Sequence, residues 1–141
     1  MARRIGGLVH LSAAWLLVFG LVVQVFLAGM GIFADESAFD THRTFGHLLE
    51  VFPAILLVSA FVAGYGRWRV LAALGLLGLL FLQTILVLQR GSSDIVAALH
   101  PVNGFLLMLA AVWVAVDSTR LWAAGRAAAV TDEPLPERAT G

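Results

Sequence analysis

Cysteine is absent from the 141 residues, and lysine with it; all nine bases are arginine. Without thiols there is no disulfide framework, no thiolate metal site and no attachment of haem through paired cysteines. Charge is scarce too, at 13% of residues against about 25% in an ordinary soluble domain. Nine bases balance nine acids, so no polyanion is implied and a nucleic-acid partner is excluded. The remainder is apolar: 60% hydrophobic residues and a mean hydropathy of +0.93. A lone soluble globule could not cover that much apolar surface with so few polar groups. Disorder is excluded as well, because its signature is low hydrophobicity. The length suits one domain, and four membrane helices of roughly 20 residues would use most of it.

Four apolar runs stand out, at about 8–33, 45–63, 70–88 and 95–116. Each is near or above the roughly 18 residues that mark a membrane helix. Lipid offers the backbone no water, so these runs should be helical. The first follows Met-Ala-Arg-Arg and imitates a signal peptide. It is too long for an h-region and Ala28-Gly29-Met30 is a poor cleavage site, so it is read as retained. Arg3, Arg4, Arg67, Arg69, Arg120 and Arg126 fall on one side of the spans, Arg43 and Arg90 on the other. That imbalance places both termini in the cytoplasm. Trp68, Trp113 and Trp122 lie near the cytoplasmic ends, as interfacial anchors do. Residues 127–141, polar and proline-containing, read as a disordered cytoplasmic tail.

The chain carries one internal repeat. His42-Arg-Thr-Phe-Gly46-His-Leu48-Leu49 aligns with His100-Pro-Val-Asn-Gly104-Phe-Leu106-Leu107. A glutamine in the preceding span, Gln24 or Gln83, stands 18 or 17 residues before each histidine. Leucine is common here, so the histidine and the glycine carry the weight. The chain thus reads as two helical hairpins fused head to tail, related by an axis along the membrane normal.

His42 and His100 enter spans two and four from the outer side. The chain runs 22 residues from His42 to Gly64 and 20 from His100 to Arg120, so both lie about 30 Å from the inner edge. Two imidazoles at one depth on repeat-related helices can meet in a bundle core, and neutral imidazole is a good ligand for haem iron. Structural or interfacial histidines are the alternative. His47 competes as a ligand: it lies about 140° round the helix from His42, and depth does not choose between them. The repeat favours His42. His10, without a partner at its depth, reads as structural or snorkelling. Gly46 and Gly104, one turn after their histidines and on the same face, would leave room for a flat macrocycle; close helix packing explains them equally well.

Glu50 sits inside span two, where an ionisable group costs roughly 2.5–3.5 kcal/mol or more. It should face the core or water, within reach of His47. Its role is a proton relay, a partner to a bound head group, or a protonated, hydrogen-bonded carboxyl. Pro53 and Pro101 each free a carbonyl four residues earlier and invite kinks. Gln24, Gln83 and Asn103 are amides inside spans, placed to bond across helices or to meet a quinone carbonyl or haem propionate. Arg43 would pair with a propionate, or with Asp40 or Glu36.

Gln24-Val-Phe-Leu-Ala-Gly29, His42-Arg43, Gln83 and Leu99-His100 resemble one half of the haem A synthase family, over about residues 15–116. That resemblance implies a four-helix unit whose His-Arg histidine and fourth-helix histidine ligate haem, here His42 and His100. The family carries a glutamate three residues before the His-Arg histidine, where this chain has Phe39, with Asp40 and Glu36 nearby. The loop cysteine pair of some members is absent. The resemblance therefore implies haem binding without oxidation of the haem methyl group. Through His42-Arg-x-x-Gly46 and Leu99-His100-Pro101 the chain is also similar to short actinobacterial four-span proteins of unknown function.

The expectation is an all-α, integral-membrane four-helix bundle of two parallel-repeat hairpins in a bacterial plasma membrane. One b-type haem would lie between His42 and His100, with His47 as alternative ligand. Gly46, Gly104, Arg43, Gln24 and Gln83 would surround it. The task would be electron transfer or haem handling, as a homo-oligomer or with a redox membrane protein. A rival expectation is a cofactor-free accessory or assembly subunit of a larger membrane complex. A third is a membrane enzyme or transporter for a quinone or lipid that uses Glu50 and His47 as proton carriers.

Overall fold

The computed structural model describes residues 1–131, all-helical with no strand among them. The helices are α1 (Ala2–Phe33), α2 (Ala38–Leu49), α3 (Val51–Ala63), α4 (Arg67–Val87), α5 (Asp94–Ala97) and α6 (Leu99–Thr131). They form four rods long and apolar enough to cross a membrane, over Ala2–Phe33, Ala38–Ala63, Arg67–Val87 and Asp94–Ala128. Two rods are interrupted. Proline has no N–H to give to the carbonyl four residues earlier, and the α2–α3 break at Glu50 and the α5–α6 break at Ala98 each lie three residues before one, Pro53 and Pro101.

The rods are longer than the apolar runs. Hydropathy reports depth in lipid, not the extent of hydrogen bonding, so polar first turns such as Ala38–Thr44 join α2 unannounced. α6 runs to Thr131, into the tail expected from residue 127, through the strong helix formers Arg126, Ala127 and Ala128. The rest of that tail, 132–141, lies outside the described residues.

α3 closes on Gly64, whose φ of 71° suits glycine and is costly for other residues. Beyond it, Tyr65 N–H donates back to the Ala60 carbonyl at 2.9 Å. α1 packs on α2 and α3 and on α6, and α4 packs on α3 and α6; the diagonal pairs have no Cα atoms within 8 Å. The four rods therefore stand in a square, with span one diagonal to span three and span two diagonal to span four. Leu17, Leu49, Leu56, Leu76, Leu107 and Ala115 fill its axis. The outside is apolar as well as the inside: Phe19, Phe26, Phe61 and Phe105 are each about two-thirds exposed. Such a surface suits a hydrocarbon solvent, where burying apolar side chains gains little and small residues set helix contacts.

Candidate functional site

His42 and His100 occupy the second turn of α2 and the first turn of α6, at the end of the square that holds the 34–37 and 88–93 connections. Their rings face one another across the span two–span four diagonal, with centroids 6.3 Å apart and planes at 63°. Each ring is held the same way. His42 Nδ1 lies 3.1 Å from the Gln24 carbonyl oxygen, and His100 Nδ1 lies 3.1 Å from the Gln83 carbonyl oxygen. A carbonyl only accepts, so each Nδ1 carries the proton and each Nε2 of a neutral ring keeps its lone pair. Neither Nε2 has a hydrogen-bond partner among the described residues.

His47 points elsewhere. Its Nδ1 lies 3.2 Å from Glu50 Oε1, and its side chain is 56% exposed. Of the two candidates on α2, only His42 reaches His100. Arg43 is also turned outward, bonding Asp40 Oδ1 at 3.3 Å.

The two glutamines do more than lend their carbonyls. A Cβ on Gly46 would fall 2.5 Å from Gln24 Nε2, and one on Gly104 would fall 3.1 Å from Gln83 Nε2. The space the glycines leave open is thus occupied by the two amides, as close packing requires. The halves differ in how the glutamine oxygen is partnered. Gln83 Oε1 accepts from Asn103 Nδ2 at 2.6 Å, while that same nitrogen lies 2.9 Å from the Leu79 carbonyl oxygen. Phe45 stands where the repeat would put a second asparagine, and Gln24 Oε1 is buried with no partner.

The opposite end of the square holds a polar group that the sequence did not single out. Arg69, in the first turn of α4, donates to both carboxylate oxygens of Asp117 on α6, at 2.8 and 3.4 Å. Its guanidinium also lies 5.6 Å from the Tyr65 ring. Burial raises the Tyr65 hydroxyl above its ordinary pKa; the Arg69 charge opposes that rise and the Asp117 charge adds to it. His10 is buried edge-on to Tyr65 at 5.1 Å, its Nδ1 near the Leu56 carbonyl and Ser59 Oγ. His10, expected to be structural or snorkelling, is buried among these groups. The available signal was an acid just past the fourth apolar run and an arginine just before the third, legible as a pair only once α4 and α6 are neighbours. In the 34–37 turn, the Ser37 N–H holds the Asp35 carboxyl below the usual carboxylate range.

Among the described residues, no group of three or more histidines and acids is gathered as a metal site. Two imidazoles are a smaller set, and they are what this end of the bundle provides.

Residues 24–90 match DUF6220, a family of unknown function. The match begins at Gln24, takes in His42, Gly46, Glu50 and Gln83, and stops before His100. No curated protein and no solved structure matches the chain. The likeness to haem A synthases therefore rests on the residues quoted above.

Proposed function

We propose that this chain is a small multi-pass membrane protein that holds one b-type haem between His42 and His100, for electron transfer or haem handling. The observation that carries the reading is the ring pair. A metal bonded from opposite sides by two imidazole nitrogens, at about 2 Å each, needs ring centroids roughly 6 Å apart. The pair at 6.3 Å meets that requirement with both Nε2 atoms unengaged. Outer bonds from Nδ1 to backbone carbonyls are the usual means of fixing a ligating histidine's tautomer and direction, and both rings have one. Two neutral imidazoles would bring no charge of their own to the site.

Bound there, haem would supply a one-electron couple. The chain's own part would be to fix both rings and exclude water. The likeness of the Gln24–His42 and Gln83–His100 units supports a duplicated hairpin. The arginine-bearing end, by its bases, would lie in the cytoplasm of a bacterial cell. The histidine end would then face outward, where a redox membrane protein could reach it.

A cofactor-free accessory subunit is the second reading. It is favoured by the glutamine amides that already fill the spaces beside Gly46 and Gly104. An absorption spectrum of detergent-purified protein, expressed with ample haem, separates the two. A Soret band lost in both His42→Ala and His100→Ala, but kept in His47→Ala, is expected. Colourless protein that is fully helical would overturn the haem reading and favour the accessory one.

A further inference from the structure

We propose that the outer face between α1 and α3 holds one anionic phospholipid from the leaflet at the arginine-bearing end, its phosphate on Arg3 and one acyl chain along the groove beyond. The two helices approach closely at Gly6, where a Cβ would lie 2.8 Å from the Ala63 backbone nitrogen and 3.0 Å from Val62 Cγ1. Outside that floor, Ile5 and Val9 of α1 and Val51, Ile55, Val58 and Val62 of α3 wall a groove. Ser59 brings the one hydroxyl among the lining residues, and it is turned inward, onto His10 Nδ1 and the Leu56 carbonyl. From Val62 to Val51 the groove follows about 16 Å of helix, starting at the arginine end. One leaflet of a hydrocarbon layer roughly 30 Å thick is about 15 Å deep. Length and lining therefore match a single acyl chain of that leaflet.

Charge at the mouth of the groove names the head group. Arg3 stands one turn before Gly6, on the same face of α1. Its guanidinium lies against Gly64, with Nε, Cζ and Nη2 at 3.4–3.8 Å from where a Cβ would stand. Arg3 is nonetheless exposed, its stem along the apolar surface and its head at the polar boundary. Asp117 is the one acid at this end among the described residues, and Arg69 takes it. Arg3 has no ion pair among them. The opposite end carries Asp35, Glu36, Asp40 and Asp94, so the two ends select for opposite charge. An unpaired guanidinium offers parallel N–H donors to two phosphate oxygens. The phosphate of phosphatidylcholine is already balanced by its own ammonium, whereas that of phosphatidylglycerol keeps its charge for the arginine. This site does not depend on haem at the histidine pair.

Native mass spectrometry of the full chain in detergent, titrated with phosphatidylglycerol or phosphatidylcholine of identical acyl chains, tests the site. One phosphatidylglycerol per chain is expected to bind about fivefold tighter than phosphatidylcholine, as one arginine beside one anionic head implies. Arg3→Gln is expected to abolish that preference. Val58→Trp, which fills the groove, is expected to weaken binding of both lipids. Arg67→Gln is the control: it lies at the same end, with its guanidinium 5.0 Å from the Trp68 ring, and is expected to keep the preference. Glycerol 3-phosphate, a head without chains, is expected not to bind. Circular dichroism checks that each variant keeps its helices. Equal affinity for the two lipids overturns the proposal. So does an equal loss of preference in Arg3→Gln and Arg67→Gln, which would mean diffuse attraction to the whole end. Unchanged binding in a helical Val58→Trp variant, or glycerol 3-phosphate binding as tightly as the lipid, overturns the groove.

Discussion

An amide buried in the membrane either finds its partners or carries the full cost of lacking them. Gln83 and Gln24 illustrate both cases. Asn103 satisfies Gln83 Oε1 and also reaches the Leu79 carbonyl, whereas Gln24 Oε1 has no partner. Removing a donor from a satisfied pair orphans its acceptor, but removing an atom already orphaned relieves a cost. Asn103→Leu should therefore destabilise the ligand-free protein by about 1–2 kcal/mol, and Gln24→Met should be neutral or mildly stabilising. Thermal unfolding in detergent checks both. At this scale the sequence was a partial guide. It marked Gln24, Gln83 and Asn103 as amides inside spans and paired His42 with His100 through the repeat. It did not choose between His42 and His47 by depth, because that choice depends on the phase of α2 about its axis.

At the scale of the element, α1 is built to be approached. A Cβ on Gly6 would lie 2.8 Å from the Ala63 backbone nitrogen, while the Phe39 ring sits over Gly31. Backbone cannot step aside as a side-chain tip can, so Gly6→Ala should push α1 from α3. A loss of about 1–3 kcal/mol is expected, as for an overpacked core. Gly75→Ala on α4, where nothing lies within 4 Å, should gain up to about 1 kcal/mol from helix propensity. Comparing the two melting temperatures in one detergent checks both. The four rods were legible because roughly 20 apolar residues have few alternatives to a spanning helix. Their ends were not, since α2 and α6 run on through polar and alanine-rich turns whose hydrogen bonds are indifferent to hydropathy. The breaks at Glu50 and Ala98 were legible in kind from Pro53 and Pro101, though not in position.

The whole molecule is a square of rods whose apolar side chains look outward, and its orientation is a matter of charge. Single cysteines at Ser37 and Ser92 should react with an impermeant maleimide in intact cells, and one at Gly66 only after lysis. Labelling in the reverse pattern would invert the topology that the arginines imply. The sequence by itself determined the solvent, the number of spans and the chemical cast: no thiols, balanced charge, and repeated glutamine, histidine and glycine. Those follow from composition and spacing, which act locally along the chain. Only the tertiary structure decided which rods are neighbours and which are diagonal. That arrangement sets His42 against His100 across the axis, pairs Arg69 with Asp117, and leaves His47 and Glu50 on the outside. Each of these meetings joins segments far apart in sequence, and rotation of a helix by one residue, about 100°, would undo it.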